Sequence, residues 1–89
     1  MREDEGVTAT MNPVRYGNLS GDSGVTHFAI GTDFVAVQFE TPTVYVYDYD
    51  RPGRITVEQM KSFALAGRGL GTYISRHVRK AYARALDSW

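Results

Sequence analysis

The sequence predicts an α+β fold: a small antiparallel β-meander of three or four strands, followed by two α-helices packed on one face of the sheet. Three short segments in the first half alternate apolar and polar residues with a period of two, as strands do. The second half spaces its apolar residues as amphipathic helices do. With 89 residues, the chain is expected to form one domain with a thin core.

The residues before these strands divide into a tail and a turn-rich stretch. Residues 1–12 are polar and acidic with no hydrophobic period, which predicts a disordered tail ahead of a single domain over 13–89. A short strand is expected within NPVRYGNL, 12–19. The following GDSG matches a serine-protease nucleophile loop over only four residues. The chain is too short for that double barrel and offers no supported base, so we interpret GDSG as a turn.

Three strands are predicted over 25–30, 34–40 and 43–49, separated by GTD and TP turn signals. Connections this short favour an antiparallel meander. Because side chains alternate along a strand, Val35 and Val37 share one side of the middle strand with Phe39.

The third strand, TVYVYDY, carries a tyrosine at every second position, Tyr45, Tyr47 and Tyr49. The hairpin register is not fixed by the sequence, so either the tyrosines or the alternate set could face the helices. We expect the tyrosines to face the helices, because the alternate set ends in Asp48 and Asp50 and buried tyrosine can keep its hydroxyl at a rim. An outward row would instead resemble the stacking sheet of single-strand RNA binders.

The second half predicts two helices. Thr56 and Gln59 fit a capping box that would open the first helix, and Gly67 stands where a left-handed C-cap would end it. The second helix is predicted from Thr72 to Leu86. This order places the helices on one face of the sheet and leaves the other face in contact with water.

The charges are distributed unevenly although the net charge is zero. Residues 1–50 carry two arginines and eight acids, whereas residues 51–89 carry eight Lys/Arg and two acids. In the predicted second helix, three cations recur at four-residue spacing, and no acid occurs between Arg68 and Arg84. Such a face can neutralise phosphates, and a tyrosine among the charges can stack on an unpaired base. The candidate nucleic-acid-binding residues are Arg68, Tyr73, Arg76, Arg79, Lys80 and Arg84.

Two alternatives remain open for this region. The charged residues also suit an ordinary solvated helix face, and the two halves of the chain could neutralise each other. GRGLG, Gly67–Gly71, could hold an anion at the start of the second helix with Arg68 closing over it, or form a tight helix-to-helix turn whose glycines adopt positive φ.

No enzymatic, cofactor or metal site is predicted. The chain has no cysteine, and no metal spacing links its two histidines, His27 and His77. DYDRPGRITVEQ, 48–59, aligns with a calcium loop, but Pro52 occupies a ligand position and Gln59 replaces the bidentate glutamate. We interpret it as a strand-to-helix turn in which aspartates pair with Arg51 and Arg54.

The string HFAIGTD…VAVQFE…VYVYDYDRP…GTYISRHVRKAY resembles the KTSC domain, named for its position at the C-terminus of some lysyl-tRNA synthetases and also found as small stand-alone proteins. The resemblance covers about 25–82. Where the family usually has Ala-x-Ser-x-Gly, this chain has Gly67, Gly69 and Gly71. The synthetase context implies RNA binding. The matching positions are Gly31, Asp33, Val37, Phe39, Tyr45, Val46, Tyr47, Pro52, Gly71, Tyr73, Val78, Arg79 and Tyr82.

These observations predict a non-enzymatic module that binds nucleic acid, foremost single-stranded RNA or tRNA, through its basic C-terminal helix. A protein-interaction module that docks a partner through that helix or an exposed sheet edge is the alternative. The start of the sequence lacks the apolar segment of a signal peptide, and no apolar run could cross a bilayer, so a cytoplasmic location is expected.

Overall fold

The computed structural model describes residues 12–19, 21 and 23–89. It confirms the α+β fold: a five-stranded antiparallel sheet in the order β1-β2-β3-β4-β5, with helices packed on one face. The predicted tail lies outside the described residues except for Asn12, as do Ser20 and Asp22 of the turn-rich stretch. No helix in the described part of the chain is both long enough and apolar enough to span a bilayer.

The elements follow one another along the chain with short connections, and the last strand comes after the helices. Their bounds are β1 Val14–Arg15, β2 His27–Ile30, β3 Phe34–Gln38, β4 Val44–Asp48, α1 Arg54–Ala66, α2 Leu70–Tyr73 with a π-helical continuation Ile74–Val78, and β5 Arg84–Leu86.

The β3–β4 register decides which way the tyrosines point. Val35 is opposite Tyr47, and Val37 is opposite Tyr45, so these four side chains share the face that meets the helices. Tyr47 is 1% exposed and packs in the same core as the helix residues. The expectation that the tyrosines face the helices is therefore confirmed for the two that lie in the strand, while Tyr49 lies beyond its end and is exposed.

The opposite face of the sheet is not open to water over its centre, so that expectation is wrong there. Ala29, Ala36, Val44 and Val46 on this face are all buried. The reason is that small residues on neighbouring strands form a shallow apolar strip, which the last residues of the chain cover. The side chains packed against it are Phe34, Leu86 and Trp89.

Helix α1 begins at Arg54, directly after Gly53, and not at the predicted capping box. No side chain caps its first turn, because Thr56 already lies inside the helix. The predicted end is confirmed, since Gly67 has the left-handed conformation, φ 76° and ψ 17°.

The GRGLG segment is a tight turn between the helices. Gly69 also has a positive φ, 87°, and a Cβ there would lie 2.9 Å from the ring of Phe63. The backbone N–H of Leu70 donates to the buried hydroxyl of Tyr16 at 3.2 Å. One N–H group at the start of α2 is thus already bonded within the domain.

The predicted second helix is wrong beyond Val78. The N–H of Arg79 donates to the carbonyl of Ile74, five residues back, at 2.6 Å, and the chain then reverses through a turn closed by the Ala81 N–H to Val78 C=O bond. It returns as β5, with Val46 opposite Arg84 in the register. Pairing with the free edge of β4 outweighs the helix propensity of RKAYARAL.

The calcium-like segment is a strand-to-helix turn, as expected, but its aspartates bond differently. The Asp48 Oδ1 accepts the backbone N–H groups of Asp50 and Arg51 at 3.0 and 2.9 Å. No arginine side chain pairs with it among the described residues, and none of those residues form a cluster of three or more potential metal ligands. The turn is therefore held by Asp48 acting on its own backbone.

A cluster of polar side chains connects α1 to the residue that follows β4 and to the β2–β3 turn. The Tyr49 hydroxyl donates to Glu58 Oε2 at 2.7 Å, and Lys61 Nζ lies 2.9 Å from the same oxygen. Lys61 also donates to the carbonyl of Thr32 in the β2–β3 turn at 3.0 Å. The hydrogen bond from Tyr49, followed by that from Lys61, holds the pKa of the Glu58 carboxyl below its ordinary value of 4.5.

Replacing Glu58 with glutamine should remove part of the pH dependence of stability. A carboxyl whose pKa is lower in the folded state stabilises the fold above its unfolded pKa, and this contribution disappears as the pH falls through the folded pKa. We expect Glu58→Gln to be less stable than the parent at pH 7, with the gap closing below the ordinary pKa of 4.5. Urea unfolding of both proteins at pH 7 and at a pH below 4.5 measures this difference in the free energy of unfolding. A difference that is unchanged or larger in acid would contradict the prediction.

Candidate nucleic-acid interface

Three of the six predicted residues lie on the last part of the π-helical segment and in the turn that follows it. Arg76 lies on this segment, and Arg79 and Lys80 occupy the turn that follows it; all three are exposed. We call these three residues the cation patch. The turn after Val78 places Arg79 and Lys80 next to the sheet face that carries Tyr45 and Tyr47.

Arg68 and Arg84 are each separated from part of the cation patch. Arg68 precedes the helical stretch 70–78, which is about 13 Å long at ~1.5 Å per residue, whereas Arg79 follows it. Arg84 is opposite Val46 in the register and so projects from the face of the sheet that points away from the helices. The predicted single row of cations over Arg76, Lys80 and Arg84 required a helix through residue 86 and is not formed.

Tyr73 is half-buried between the two helices. Its ring centroid lies 5.1 Å from that of Phe63 and 5.1 Å from that of His77. These neighbours occupy much of the ring surface that the sequence suggested for base stacking. Tyr73 therefore serves first as a packing residue between α1 and the π-helical segment.

The cations of the patch are not neutralised within the domain. Over residues 12–19, 21 and 23–89, the ion pair that forms is Lys61–Glu58, and no carboxylate pairs with Arg76, Arg79 or Lys80. The same holds for Arg68 and Arg84. The charge is thus available to a ligand from outside the domain.

An aromatic pocket of about 370 Å³ opens next to the cation patch. Tyr82 packs its ring 4.8 Å from that of Tyr45 and 6.4 Å from that of Tyr47, and Phe39 packs edge-on at 6.1 Å from Tyr45. Arg79 and Lys80 also line this concavity. We call it the phenol pocket. Its lining residues are Phe39, Thr41, Tyr45, Tyr47, Ile74, Arg79, Lys80 and Tyr82.

The hydroxyl groups in the phenol pocket have no partner in the described chain. Tyr45, Tyr47 and Tyr82 form no hydrogen bond there, and none of their hydroxyl oxygens is an enclosed atom that lacks a partner, so these oxygens reach the open pocket. Burial of the Tyr47 side chain, and then the neighbouring phenols, raise the pKa of Tyr47 well above its ordinary value of 10.0. Hydroxyls that reach a pocket and have no partner among the described residues can form hydrogen bonds with a polar ligand there.

A second concavity, of about 390 Å³, lies on the other side of Phe39, which lines both. Ser23 and Ser75 contribute hydroxyl groups, and Arg76 contributes a guanidinium. We call it the serine pocket. The two pockets share Phe39; the phenol pocket is lined mainly by aromatic residues, the serine pocket mainly by small and polar ones, and each contains at least one cation.

Arg79 has an unusual backbone conformation for a residue with a side chain. Its φ of 54° and ψ of −119° match the first central position of a type II′ turn, where glycine is the usual residue. Holding a non-glycine residue there costs about 1–3 kcal/mol. The guanidinium is exposed and forms no hydrogen bond or ion pair with the described residues, so no polar interaction of this side chain offsets that cost.

The sequence interpretation missed Tyr82, Tyr45 and Phe39 as site residues. Tyr82 falls inside the predicted second helix, whereas the helical stretch of the structure ends before it, at Val78. The available signal was the resemblance to the KTSC domain, in which the Tyr-x-Tyr pair and Tyr82 are matching positions. Tyr82 approaches that pair only because the chain reverses after Val78, and no local sequence pattern predicts this reversal.

Comparison with known proteins adds no identity. No family model, curated protein or solved structure matches this chain. The resemblance to the KTSC domain stays a prediction.

Removing the Tyr47 hydroxyl should leave stability nearly unchanged at neutral pH. With no partner lost, Tyr47→Phe should change the free energy of unfolding by less than about 1 kcal/mol, whereas Tyr47→Ala should cost roughly 3–5 kcal/mol.

The same Tyr47→Phe substitution should reduce the loss of stability in alkali. A pKa that is raised in the folded state stabilises the fold below the ordinary value of 10.0, and this contribution is lost as the pH rises further. Tyr47→Phe should therefore lose less stability than the parent on going above that value. Urea unfolding checks this, and equal alkaline losses would contradict it.

Replacing Arg79 with glycine should stabilise the domain. Relief of the backbone conformation, less the extra chain entropy of glycine, predicts a gain of roughly 0.5–2 kcal/mol in the free energy of unfolding. Arg79→Ala removes the same charge without relieving φ and is the matched control, expected within about 0.5 kcal/mol of the parent. Equal stabilities of the two variants would show that the turn is not strained.

Proposed function

We propose that this domain binds single-stranded nucleic acid, with RNA as the preferred ligand, through the cation patch and the adjoining phenol pocket. The observation that carries the proposal is that Arg76, Arg79 and Lys80 are exposed, lie within five consecutive positions of the chain and have no carboxylate partner among the described residues. Cations in this state release counterions when they meet phosphates, which drives association with nucleic acid.

The pocket favours a single strand over a duplex. Aromatic rings within a concavity reach a base only when that base is unpaired and can turn away from its neighbours. Phe39, Tyr45 and Tyr82 are half-buried and provide such rings beside Arg79. The preference for RNA over DNA rests on the resemblance to the KTSC domain.

A protein partner is less well supported. The large apolar side chains exposed on α1, Ile55 and Leu65, are ten positions apart, roughly 15 Å along the helix, and do not form one patch. The cations instead suit a polyanion. Salt dependence separates the two ligand classes, because apolar docking responds little to salt.

Binding of a fluorescein-labelled single-stranded RNA, measured by anisotropy, should weaken steeply as salt rises. Three phosphate contacts predict a slope of about −2 for log K against log salt, since each contributes ~−0.7 for a single strand. The double variant Arg76→Gln plus Lys80→Gln should reduce the slope to about −0.7 and weaken binding at every salt concentration.

Arg15→Gln is the matched control, because Arg15 is an exposed cation on β1, at the edge of the sheet opposite β5. It should leave the slope unchanged. Parallel titrations with single-stranded DNA and duplex DNA of the same length test the preference. Equal effects of the double variant and the control, or no binding at low salt, would overturn the proposal.

A further inference from the structure

We infer that the phenol pocket is a subsite for one unpaired base of the bound strand, with the phosphate of that nucleotide held by Arg79 and Lys80. This rests on the proposed function and adds to it a defined binding unit. The pocket, its unpartnered hydroxyls and its two cations are three separate observations that favour the same ligand chemistry.

The size and lining of the pocket suit one nucleotide. A concavity of about 370 Å³ is at the lower end of small-molecule sites and holds one ring system with its sugar, not a run of bases. Tyr45 and Tyr82 contact each other at 4.8 Å, so a base cannot insert between them and must pack on the ring surface that they leave toward the pocket.

The hydroxyl groups supply hydrogen bonds to the base edge. Each phenol can donate one hydrogen bond and accept another, as the edge of an unpaired base requires. Tyr47 is held rigidly, because its side chain is 1% exposed and lies in the core against the helices. A fixed hydroxyl favours a base that presents a matching group at that point, whereas stacking alone accepts any base.

The cations explain why a nucleotide fits better than a neutral aromatic ligand. Arg79 and Lys80 line the same pocket as the phenols, so a phosphate attached to the bound unit meets both. Beyond Phe39, the serine pocket offers Ser23 and Ser75 hydroxyls and Arg76 to the next phosphate along the strand. The strand would therefore cross Phe39 between two successive nucleotides.

Substituting abasic sites tests the inference with the unaltered protein. In single-stranded RNA of about four nucleotides, within the site sizes of small single-strand binders, each base is removed in turn while the phosphates stay. Removal at one position should weaken binding by roughly 5- to 150-fold, the effect of losing one stacked base, and removal elsewhere should have little effect. Equal small losses at every position would overturn the inference while leaving strand binding by the cation patch, the observation that carries the proposed function, intact.

Nucleoside monophosphates give a test that does not depend on strand binding. Amide shifts in a ¹H–¹⁵N titration should affect residues around Tyr82 and Arg79, and inorganic phosphate at the same concentration should bind more weakly. Equal affinity for inorganic phosphate would identify an anion site and contradict base recognition. Monophosphate binding without strand binding would support the pocket and reject the proposed function.

Two variants complete the experiment. Tyr82→Leu keeps an apolar side chain but removes the ring, and should lower affinity by roughly 5- to 150-fold. Tyr47→Phe leaves the fold intact and removes one hydroxyl, so it should lower affinity by roughly 2- to 13-fold and reduce discrimination among the four monophosphates. Unchanged affinity and unchanged discrimination in Tyr47→Phe would overturn the role of the hydroxyl.

Discussion

The burial of β4 on both faces is the constraint on which the rest of this structure depends. Tyr47 packs under the helices, and Val46 packs into the apolar strip on the other side; each is 1% exposed. If a strand that is buried on both faces left one edge unpaired, the backbone N–H and C=O groups along that edge would lack hydrogen-bond partners and have little access to water. The domain satisfies this by pairing β4 with β3 on one edge and with β5 on the other.

The candidate site is a consequence of completing that edge. To reach β4 from the end of the π-helical segment, the chain must reverse within a few residues, and the reversal begins at Arg79. It lays Tyr82 across Tyr45 and Tyr47 and leaves Lys80 exposed at the rim of the resulting concavity. The chain reversal that allows the sheet to be completed therefore also supplies Arg79, Lys80 and Tyr82 to the phenol pocket.

The sequence predicted the features that local patterns determine. Period-two alternation identified the strands and the shared face of Val35 and Val37, and Gly67 marked the end of α1 because few other residues accept its conformation. The second helix was extended too far because residues 79–86 combine good helix formers with no glycine or proline to stop them. Strand pairing outweighed that preference, and a pairing between residues 38 positions apart, such as Val46 and Arg84, produces no local sequence pattern.

That misplaced boundary also explains which site residues the sequence could not assign. On a continuous helix, Arg84 belongs with Arg76, whereas the observed strand turns it to the opposite face. Conversely, Tyr82 moves from the predicted second helix to the wall of a pocket. The charge pattern identified a run of cations but not their arrangement, because that arrangement depends on the turn after Val78.

Arg79 is the position where local preference and the observed residue disagree most clearly. Glycine would satisfy the backbone there, and a cation contributes nothing to the packing of the described domain. Sequences that fold well tend to agree with their structure at each local level, and departures concentrate where a residue serves a ligand. Under the proposed function this departure has a physical reason, because the exposed Arg79 guanidinium lines the phenol pocket and would meet a phosphate there.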